Sequence, residues 1–223
     1  MVLRAFARVA NLTPSETDIL EIGAGTGRAA VQALQLGFRS YTGVEPTKNL
    51  ASFLIKHHDF RVIEESLPNL KTLCDNSFDA VFSVHVLEHA SSWGEANLWC
   101  QEMIRVLRPG GQILVVAPDI RDYRENFWDS DWSHGFPTTP QRVSQIFSDA
   151  ELKIVFQGSM HLGRLGAVSA ALAHTMSVLL PTRIGDILTR RIFGRPLVSG
   201  LKIAVLWGLV FVVARKPLVT NGD

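Results

Sequence analysis

The stretch Asp18–Arg28, D-I-L-E-I-G-A-G-T-G-R, decides the fold of this chain. An apolar strand over Ile19–Ile22 runs into a turn with three glycines, and periodic apolar positions up to Leu36 then predict a helix. Glycines let a backbone approach a ligand closely, and a helix N-terminus offers free N–H groups and the positive end of a dipole. The stretch therefore predicts the nucleotide-binding corner of an α/β fold.

The glycine spacing separates two kinds of nucleotide site. Dinucleotide dehydrogenases use G-x-G-x-x-G, whose third glycine packs the helix against the strand. Here the run is G-x-G-x-G, and Arg28 stands where that third glycine would be. Glu21 precedes the run, which gives E-x-G-x-G-x-G after a first strand. This spacing disfavours a nicotinamide oxidoreductase and leaves a bare structural turn as the alternative.

An acid follows the second predicted strand. Ser40–Val44 reads as that strand, and Glu45 and Pro46 stand at its carboxyl end. A βαβ nucleotide site places its ribose ligand there, because a carboxylate can accept hydrogen bonds from both hydroxyls of a cis-diol. Glu45 is the candidate for that role, and a solvated loop acid is the alternative.

Two further motifs come in a fixed order. The strand Ser77–Val84 leads into H-V-L-E-H at His85–His89, and the helix predicted over about Ser92–Val106 ends at L-R-P-G-G. Together with E-x-G-x-G-x-G, these motifs resemble the class I S-adenosylmethionine (SAM)-dependent methyltransferases, and in particular the small-molecule, ubiquinone-biosynthesis-type enzymes (methyltransferase type 11). The resemblance covers roughly residues 18–157 and the last strand.

The resemblance implies a fold, a cofactor and a set of cofactor contacts. The fold is α/β, a Rossmann-like seven-stranded mostly parallel sheet. This chain departs from the family's tight final hairpin by a helical insertion between the last two strands. The cofactor is SAM. The adenine contact lies just past the third strand, at Glu64, Glu65 or Ser66, of which we take Ser66. The implied cofactor-binding residues are Glu21, Gly23, Ala24, Gly25, Gly27, Glu45, Pro46, Ser66 and His85.

The histidine spacing in H-V-L-E-H raises the question of a metal. His85 and His89 are four residues apart, as zinc ligands on a helix would be. The zincin pattern needs Glu after the first histidine, where this chain has Val86, and no third ligand is evident at a suitable spacing. The sequence therefore predicts no metal site.

A long polar and aromatic loop, 119–139, follows the fifth predicted strand. Long loops within compact α/β domains are usually functional. This one contains D-S-D-W-S-H, in which His134 is a candidate general base and Asp131 a candidate partner that orients it. A surface loop whose aromatic side chains simply pack is the alternative.

The last third of the chain differs in composition from the rest. Residues 158–217 carry eight Lys or Arg against one acid, Asp186. We divide one domain of 223 residues into an N-terminal helical segment (1–17), a SAM-binding core (18–157), an apolar basic insertion (158–202) and a closing strand (203–215). The apolar stretch 165–180 is shorter than a bilayer crossing requires. Residues 160–200 therefore suggest peripheral membrane contact, a cover for a lipophilic acceptor, or a homodimer surface.

These observations together predict SAM-dependent methyl transfer to a small, lipophilic acceptor. The alternative is a non-catalytic SAM-fold protein that acts as a membrane-associated interaction module. With two cysteines in no metal or disulfide spacing, the expected location is cytoplasmic, with the membrane as a peripheral site. No basic and aromatic strip lies near the predicted site, which disfavours a nucleic-acid partner.

Overall fold

The computed structural model describes residues 2–161 and 208–218, together with Ile187 and Arg191. Within these residues the strands are β1 (Asp18–Ile22), β2 (Ser40–Val44), β3 (Arg61–Ile63), β4 (Phe78–Val84), β5 (Leu107–Pro118), β6 (Lys153–His161) and β7 (Gly208–Arg215). The helices are α1 (Val2–Val9), α2 (Arg28–Leu36), α3 (Lys48–His57), α4 (Trp93–Val106), α5 (Ile120–Tyr123), α6 (Asn126–Asp129) and α7 (Pro140–Asp149).

The strands form one sheet in the order β3-β2-β1-β4-β5-β7-β6. β7 runs antiparallel to both of its neighbours, and the remaining pairs are parallel. The chain order reverses between β1 and β4, which creates a crevice at the carboxyl ends of these two strands. Open α/β sheets bind their ligands at such a reversal. The predicted seven-stranded, mostly parallel sheet is confirmed.

The sheet is covered on both faces because successive strand residues point in opposite directions. Leu20, Val81 and Val115 belong to the core on one face, with side chains of α4 and α7. Ile19, Phe82 and Leu114 belong to the core on the other face, with side chains of α1 and α2. Burial on both faces explains the continuous apolar runs of the central strands.

Several predicted boundaries agree with the structure. β1 and the end of α2 at Leu36 lie where the sequence places them, and Gly37, a residue type that commonly ends helices, caps α2 in a left-handed conformation. β2 spans the predicted Ser40–Val44, and Ser92 caps α4 through a hydrogen bond from the Glu95 N–H. These features depend on neighbouring residues in the chain, so local patterns suffice to locate them.

Other boundaries differ from the prediction. R-P-G-G at Arg108–Gly111 does not form a separate turn before the fifth strand but belongs to an irregular first part of β5. The register between β4 and β5 shifts there, and Gly110 adopts a φ of +80°. A bulge of this kind lets a strand carry residues that would otherwise end it.

The segments around the predicted insertion also change. β6 extends to His161, so the first four residues of the predicted insertion (158–161) are strand. The predicted helix over 165–180 and the start of the closing strand lie outside the described residues. Ile187 and Arg191 are helical and exposed. Within the described residues, no helix combines the length and the apolar character that crossing a membrane requires.

Candidate functional site

A cavity of about 450 Å³ opens where the carboxyl ends of β1, β2 and β4 meet. This volume is within the usual range for small-molecule sites, about 300–1,000 Å³. Its walls are mostly apolar, with carboxylates at one end and histidines at the other. The residues that line it are Ile22, Gly23, Gly25, Val44, Glu45, Pro46, Glu65, Ser66, Leu67, Val84, His85, Val86, His89 and Trp99.

The glycine turn forms the floor of this cavity. The N–H groups of Gly23 and Ala24 both donate to the Val44 carbonyl at 2.9 Å, which folds the turn against the end of β2. Gly23 has a φ of +77°, and a Cβ there would lie 2.5 Å from a methyl group of Val86. At Gly25 a Cβ would approach no atom nearer than 4.0 Å. The turn is therefore closed on its buried side and open at Gly25, where a ligand can approach the backbone.

Glu45 stands at the end of β2 and is 4% exposed. Its Oε2 accepts the Gly25 N–H at 2.7 Å, and its Oε1 accepts the Thr47 N–H at 2.9 Å. Both bonds come from backbone, so the main chain fixes the carboxylate. Each oxygen keeps a further lone pair, which is what the two hydroxyls of a ribose need. The site therefore fits the ribose of SAM at the position that the sequence predicts.

Glu21 lies beneath the turn and does not line the cavity. It is buried, and the Tyr41 hydroxyl donates to its carboxylate. Burial and then the neighbouring Glu45 raise the pKa of Glu21 to about 8, against the opposing effect of the Tyr41 hydrogen bond. Burial also raises the pKa of Tyr41. Glu21 is therefore largely protonated at neutral pH and supports the turn from below.

A further part of the lining consists of Glu65, Ser66, Leu67 and Trp99. The Glu65 carboxylate accepts the Thr72 N–H at 3.1 Å, which ties this wall to the segment that follows. The Trp99 indole N–H is buried and has no hydrogen-bond partner among the described residues. Leu67 and Trp99 thus supply apolar surface and one spare donor, which suits a flat nitrogen heterocycle such as adenine.

Histidines form the far end of the cavity. His85 follows β4 with a φ of +56°, a conformation that is uncommon outside glycine and is often found at functional sites. Its Nδ1 lies 3.0 Å from the Oε1 of Glu88, whose side chain is 0% exposed. Glu88 and His89 both belong to a short 3₁₀ turn, Leu87–His89. The His89 Nδ1 lies 2.9 Å from the Ser133 hydroxyl oxygen.

The loop between β5 and α7 brings His134 to this end. His134 is 8% exposed, and its ring meets that of His89 edge to face with centroids 5.0 Å apart. The His134 Nδ1 lies 2.6 Å from the Phe127 carbonyl oxygen. The Asp131 carboxylate accepts the N–H and the hydroxyl of Ser133, and these bonds hold its pKa below the usual range. The predicted orientation of the His134 ring by Asp131 is therefore not what the geometry shows: Phe127 holds that ring, and Asp131 reaches His89 through Ser133.

The structure gathers six of the predicted cofactor residues around the cavity: Gly23, Gly25, Glu45, Pro46, Ser66 and His85. Glu21, Ala24 and Gly27 are not part of its lining. Ala24 packs against Gly43, and Gly27 lies against Leu54 and His58. Glu64 is exposed and lies outside the lining, whereas Glu65 and Ser66 belong to it.

Sequence reasoning missed Leu67, Trp99 and His89 as lining residues. Leu67 is in a segment without a recognisable pattern, and Trp99 is one of several apolar residues on α4. His89 did carry a signal, because it belongs to H-V-L-E-H, but that motif does not say which of its histidines faces the cavity.

The glycine turn, the acid after β2 and the position of the cavity at the β1–β4 reversal are the features of the class I SAM-dependent methyltransferase fold. Residues 20–115 match the methyltransferase type 11 family model, described as a methyltransferase domain. SAM is the cofactor of this class, so the predicted resemblance to class I SAM-dependent methyltransferases and the predicted cofactor are confirmed, and the ubiquinone-biosynthesis type stays a prediction. No curated protein matched the chain.

Solved structures agree with this fold at low sequence identity. A chain in the complex between the Trm112 methyltransferase activator of Haloferax volcanii and a methyltransferase superposes with a TM-score of 0.69 and 16% identity, covering 97% of this chain and 90% of that chain. A SAM-dependent methyltransferase from Archaeoglobus fulgidus superposes with a TM-score of 0.65 and 17% identity, covering 96% of this chain and 93% of that chain. The [4+2]-cyclase SpnF superposes with a TM-score of 0.62 and 20% identity, covering 96% of this chain and 80% of that chain. Because a cyclase shares the fold, these likenesses establish the architecture and not the reaction.

Proposed function

We propose that this protein transfers the methyl group of SAM to a small acceptor that enters at the histidine end of the cavity. One observation carries the proposal: a single cavity runs from the Glu45 carboxylate to His85 and His89. If the ribose of SAM binds at the carboxylate end and the acceptor at the histidine end, the methyl group of SAM and the acceptor would meet between the two ends.

The geometry at the carboxylate end supports the following binding roles. Glu45 holds the ribose hydroxyls, Gly23 and Gly25 let the backbone approach the cofactor, and Pro46 and Ser66 border it. His85 flanks the methionine end. Glu21, Ala24 and Gly27 contribute indirectly, because they pack the turn in place. When bound, SAM supplies a methyl group on a positively charged sulfonium sulfur, and this sulfur becomes a neutral thioether once the methyl group is transferred.

The protein then has to align the acceptor, exclude water and remove a proton where the acceptor carries one. Two histidines line the cavity, and because His85 is assigned to the methionine end of SAM, His89 is the candidate base. Ser133 gives its hydroxyl proton to Asp131, so the Ser133 oxygen accepts from the His89 Nδ1–H and leaves Nε2 with its lone pair. His134 and Asp131 act as positioning residues, His134 through ring contact and Asp131 through Ser133.

The acceptor class rests on composition. The apolar and basic residues 158–202 favour a lipophilic acceptor, a peripheral membrane site, or a second copy of the chain as the partner of this segment. The cytoplasmic location stays a prediction from cysteine usage. The alternative function, a non-catalytic module at a membrane, rests on the same segment. Turnover separates the two functions. Liposome co-sedimentation tests the membrane contact, using the full chain and a variant in which a short turn joins His161 to Gly208, residues that already pair across β6 and β7.

The test of catalysis is turnover of labelled SAM with a cell extract and then with the purified acceptor. We expect His89→Gln to lower the rate by about 10²-fold, the typical contribution of a general base, while its affinity for SAM stays within a factor of about two. His57→Gln is the matched control, because His57 is exposed on α3 and does not line the cavity. SAM binding without turnover in the unmodified protein, across extracts that contain lipids and polar metabolites, would contradict the proposal.

A further inference from the structure

We propose that Glu88, His89 and His134 form a binding site for a divalent transition-metal ion at the wall of the cavity. One ligand atom from each of the three residues lies within 4.8 Å of the other two. Two imidazoles and one carboxylate are a donor set suited to such ions. The proposal does not depend on the proposed methyl transfer, and it replaces the sequence-based expectation of no metal site.

Both histidines are held in the tautomer that a metal needs. The His89 Nδ1 must donate to Ser133, because the Ser133 hydroxyl proton already goes to Asp131 at 2.6 Å. The His134 Nδ1 must donate to the Phe127 carbonyl oxygen, which can only accept. In the neutral form of both rings, Nε2 is therefore the nitrogen that carries the free lone pair. Metal-binding histidines usually have this arrangement, with the second nitrogen donating to a carbonyl, a carboxylate or a comparable acceptor.

The carboxylate supplies an independent indication of a cation. The Glu88 side chain is 0% exposed, and its Oε1 is paired with His85. Its Oε2 is buried without a hydrogen-bond partner among the described residues. An unsatisfied buried oxygen of this kind is costly, more so when it is charged. A bound cation would satisfy it, and His85 would remain as the outer partner that fixes the carboxylate.

The main chain fixes the spacing between the two segments that carry the ligands. The Glu88 carbonyl oxygen accepts the N–H groups of Gly135 and Phe136 at 2.9 and 3.0 Å. Gly135 also lies so close to the 3₁₀ turn that a Cβ there would be 2.6 Å from the Ala90 carbonyl oxygen. His134 is thus held next to Glu88 and His89 by backbone contacts rather than by side chains alone.

The donor set favours zinc-like ions over magnesium or calcium. Zn²⁺ accepts nitrogen and carboxylate ligands, and catalytic zinc sites have three protein ligands and one open position. Mg²⁺ and Ca²⁺ prefer oxygen ligands throughout. Ligands bound at about 2.0–2.1 Å in a tetrahedron lie roughly 3.4 Å apart, so the three side chains would close slightly around the ion.

An ion here would bear on the reaction, and this consequence alone rests on the proposed function. His89 lines the cavity, so the open position of the ion would lie at the acceptor end. A bound cation lowers the pKa of an oxygen that it contacts. The ion would then help the acceptor to lose its proton, which is the task of His89 in a metal-free site. Such an ion favours an acceptor whose methylated atom is a hydroxyl oxygen.

The test is metal uptake by the full-length protein, first stripped with a chelator and then titrated with Zn²⁺, Co²⁺ and Mg²⁺. We expect one equivalent of Zn²⁺ or Co²⁺ per chain, a visible absorption band for Co²⁺ bound through nitrogen, and no comparable uptake of Mg²⁺. His134→Gln and Glu88→Gln should lose this uptake, and His57→Gln should keep it. Ser133→Ala, which removes only an outer partner, should weaken Zn²⁺ binding about 10- to 100-fold.

Folding is checked by circular dichroism and by the thermal midpoint, which Zn²⁺ should raise in the unmodified protein and not in His134→Gln. No stoichiometric uptake by the unmodified protein, or equal uptake by all of the variants, overturns the proposal. Failure of the proposed function would show instead as loss of SAM binding or turnover while Zn²⁺ uptake is intact.

Discussion

Glu21 and Glu45 are neighbouring buried carboxylates with different tasks. Glu45 is held by two backbone N–H groups at the edge of the cavity, whereas Glu21 lies below it beside Tyr41. Two close carboxylates cannot both ionise cheaply. Because the pKa of Glu21 is raised to about 8, its proton removes this repulsion at neutral pH. Glu21 thus stabilises the negative charge of Glu45 without contacting the ligand.

This assignment predicts a specific pH dependence of stability. Between the ordinary glutamate pKa of 4.5 and about 8, the folded protein keeps a proton on Glu21 that the unfolded chain releases. The contribution of Glu21 is therefore complete below pH 4.5 and is lost as the pH rises towards 8. Glu21→Gln, which stays neutral, should reduce the fall in the free energy of unfolding between pH 5 and 8.5 by about 1 kcal/mol or more. Urea unfolding at pH 5 and pH 8.5 measures this change, with Glu64→Gln as the exposed control. An equal fall in the free energy of unfolding for the unmodified protein, Glu21→Gln and Glu64→Gln would contradict the prediction.

Individual residues also show what the sequence can and cannot predict about the site. Glu45 and the glycine turn are predictable, because the distance along the chain from strand to turn to acid determines their position. The Glu88, His89 and His134 cluster is not, because His134 reaches it through a loop whose path depends on Phe127 and Gly135. The Asp131 carboxylate accepts from Ser133 and the His134 ring pairs with the Phe127 carbonyl oxygen, and the order of residues in the loop does not show which of these contacts forms.

At the scale of elements, α4 holds one wall of the cavity in place. Arg105 on α4 donates to the carbonyl oxygens of Leu70 and Leu73 at 3.0 and 2.9 Å and to Glu102 at 2.8 Å. Glu102 in turn accepts the Leu70 N–H at 3.0 Å. The segment after β3 has no regular structure of its own, so these bonds fix it. Because this segment also binds Glu65, α4 positions the wall that we assign to adenine.

Removing this anchor should affect both stability and binding. Arg105→Met removes the side-chain donor of the Leu73 carbonyl oxygen and leaves the Leu70 carbonyl and Glu102 with one backbone donor each, which should cost about 1–3 kcal/mol in the free energy of unfolding. It should also weaken SAM binding by about 1 kcal/mol, or roughly fivefold, and speed proteolysis between residues 64 and 77. Chemical unfolding, calorimetry and limited proteolysis test these effects, with Arg8→Met on the exposed side of α1 as the control. SAM affinity equal to that of the control would show that the wall does not need this anchor.

Element boundaries were predictable where a local signal ends the element. Gly37 ends α2 and Ser92 begins α4 as their residue types indicate. The start of β5 was not predictable, because R-P-G-G is normally a turn. In the folded protein, Lys216 after β7 exchanges backbone hydrogen bonds with Gly110 and Gly111. A partner distant in sequence thus turns an apparent breaker into part of a strand.

At the scale of the whole molecule, the sheet order concentrates the chemistry at one edge. The reversal between β1 and β4 brings Gly23, Glu45 and His85 together from three strand ends, and the long loop after β5 adds His134. The sequence predicts this convergence because the carboxyl ends of parallel strands share an edge. It does not predict which acceptor enters, since that depends on the loop and on residues 158–202, where the resemblance to known methyltransferases is weakest.

The central claim, that this cavity binds SAM through Glu45, is tested most directly by isothermal titration with S-adenosylhomocysteine and SAM. We predict binding to the unmodified protein that Glu45→Ala weakens at least about tenfold, or 1.4 kcal/mol. Glu64→Ala, an exposed acid just after β3, should bind as the unmodified protein does. Unchanged affinity in Glu45→Ala, or binding of NAD in place of SAM, would contradict the account.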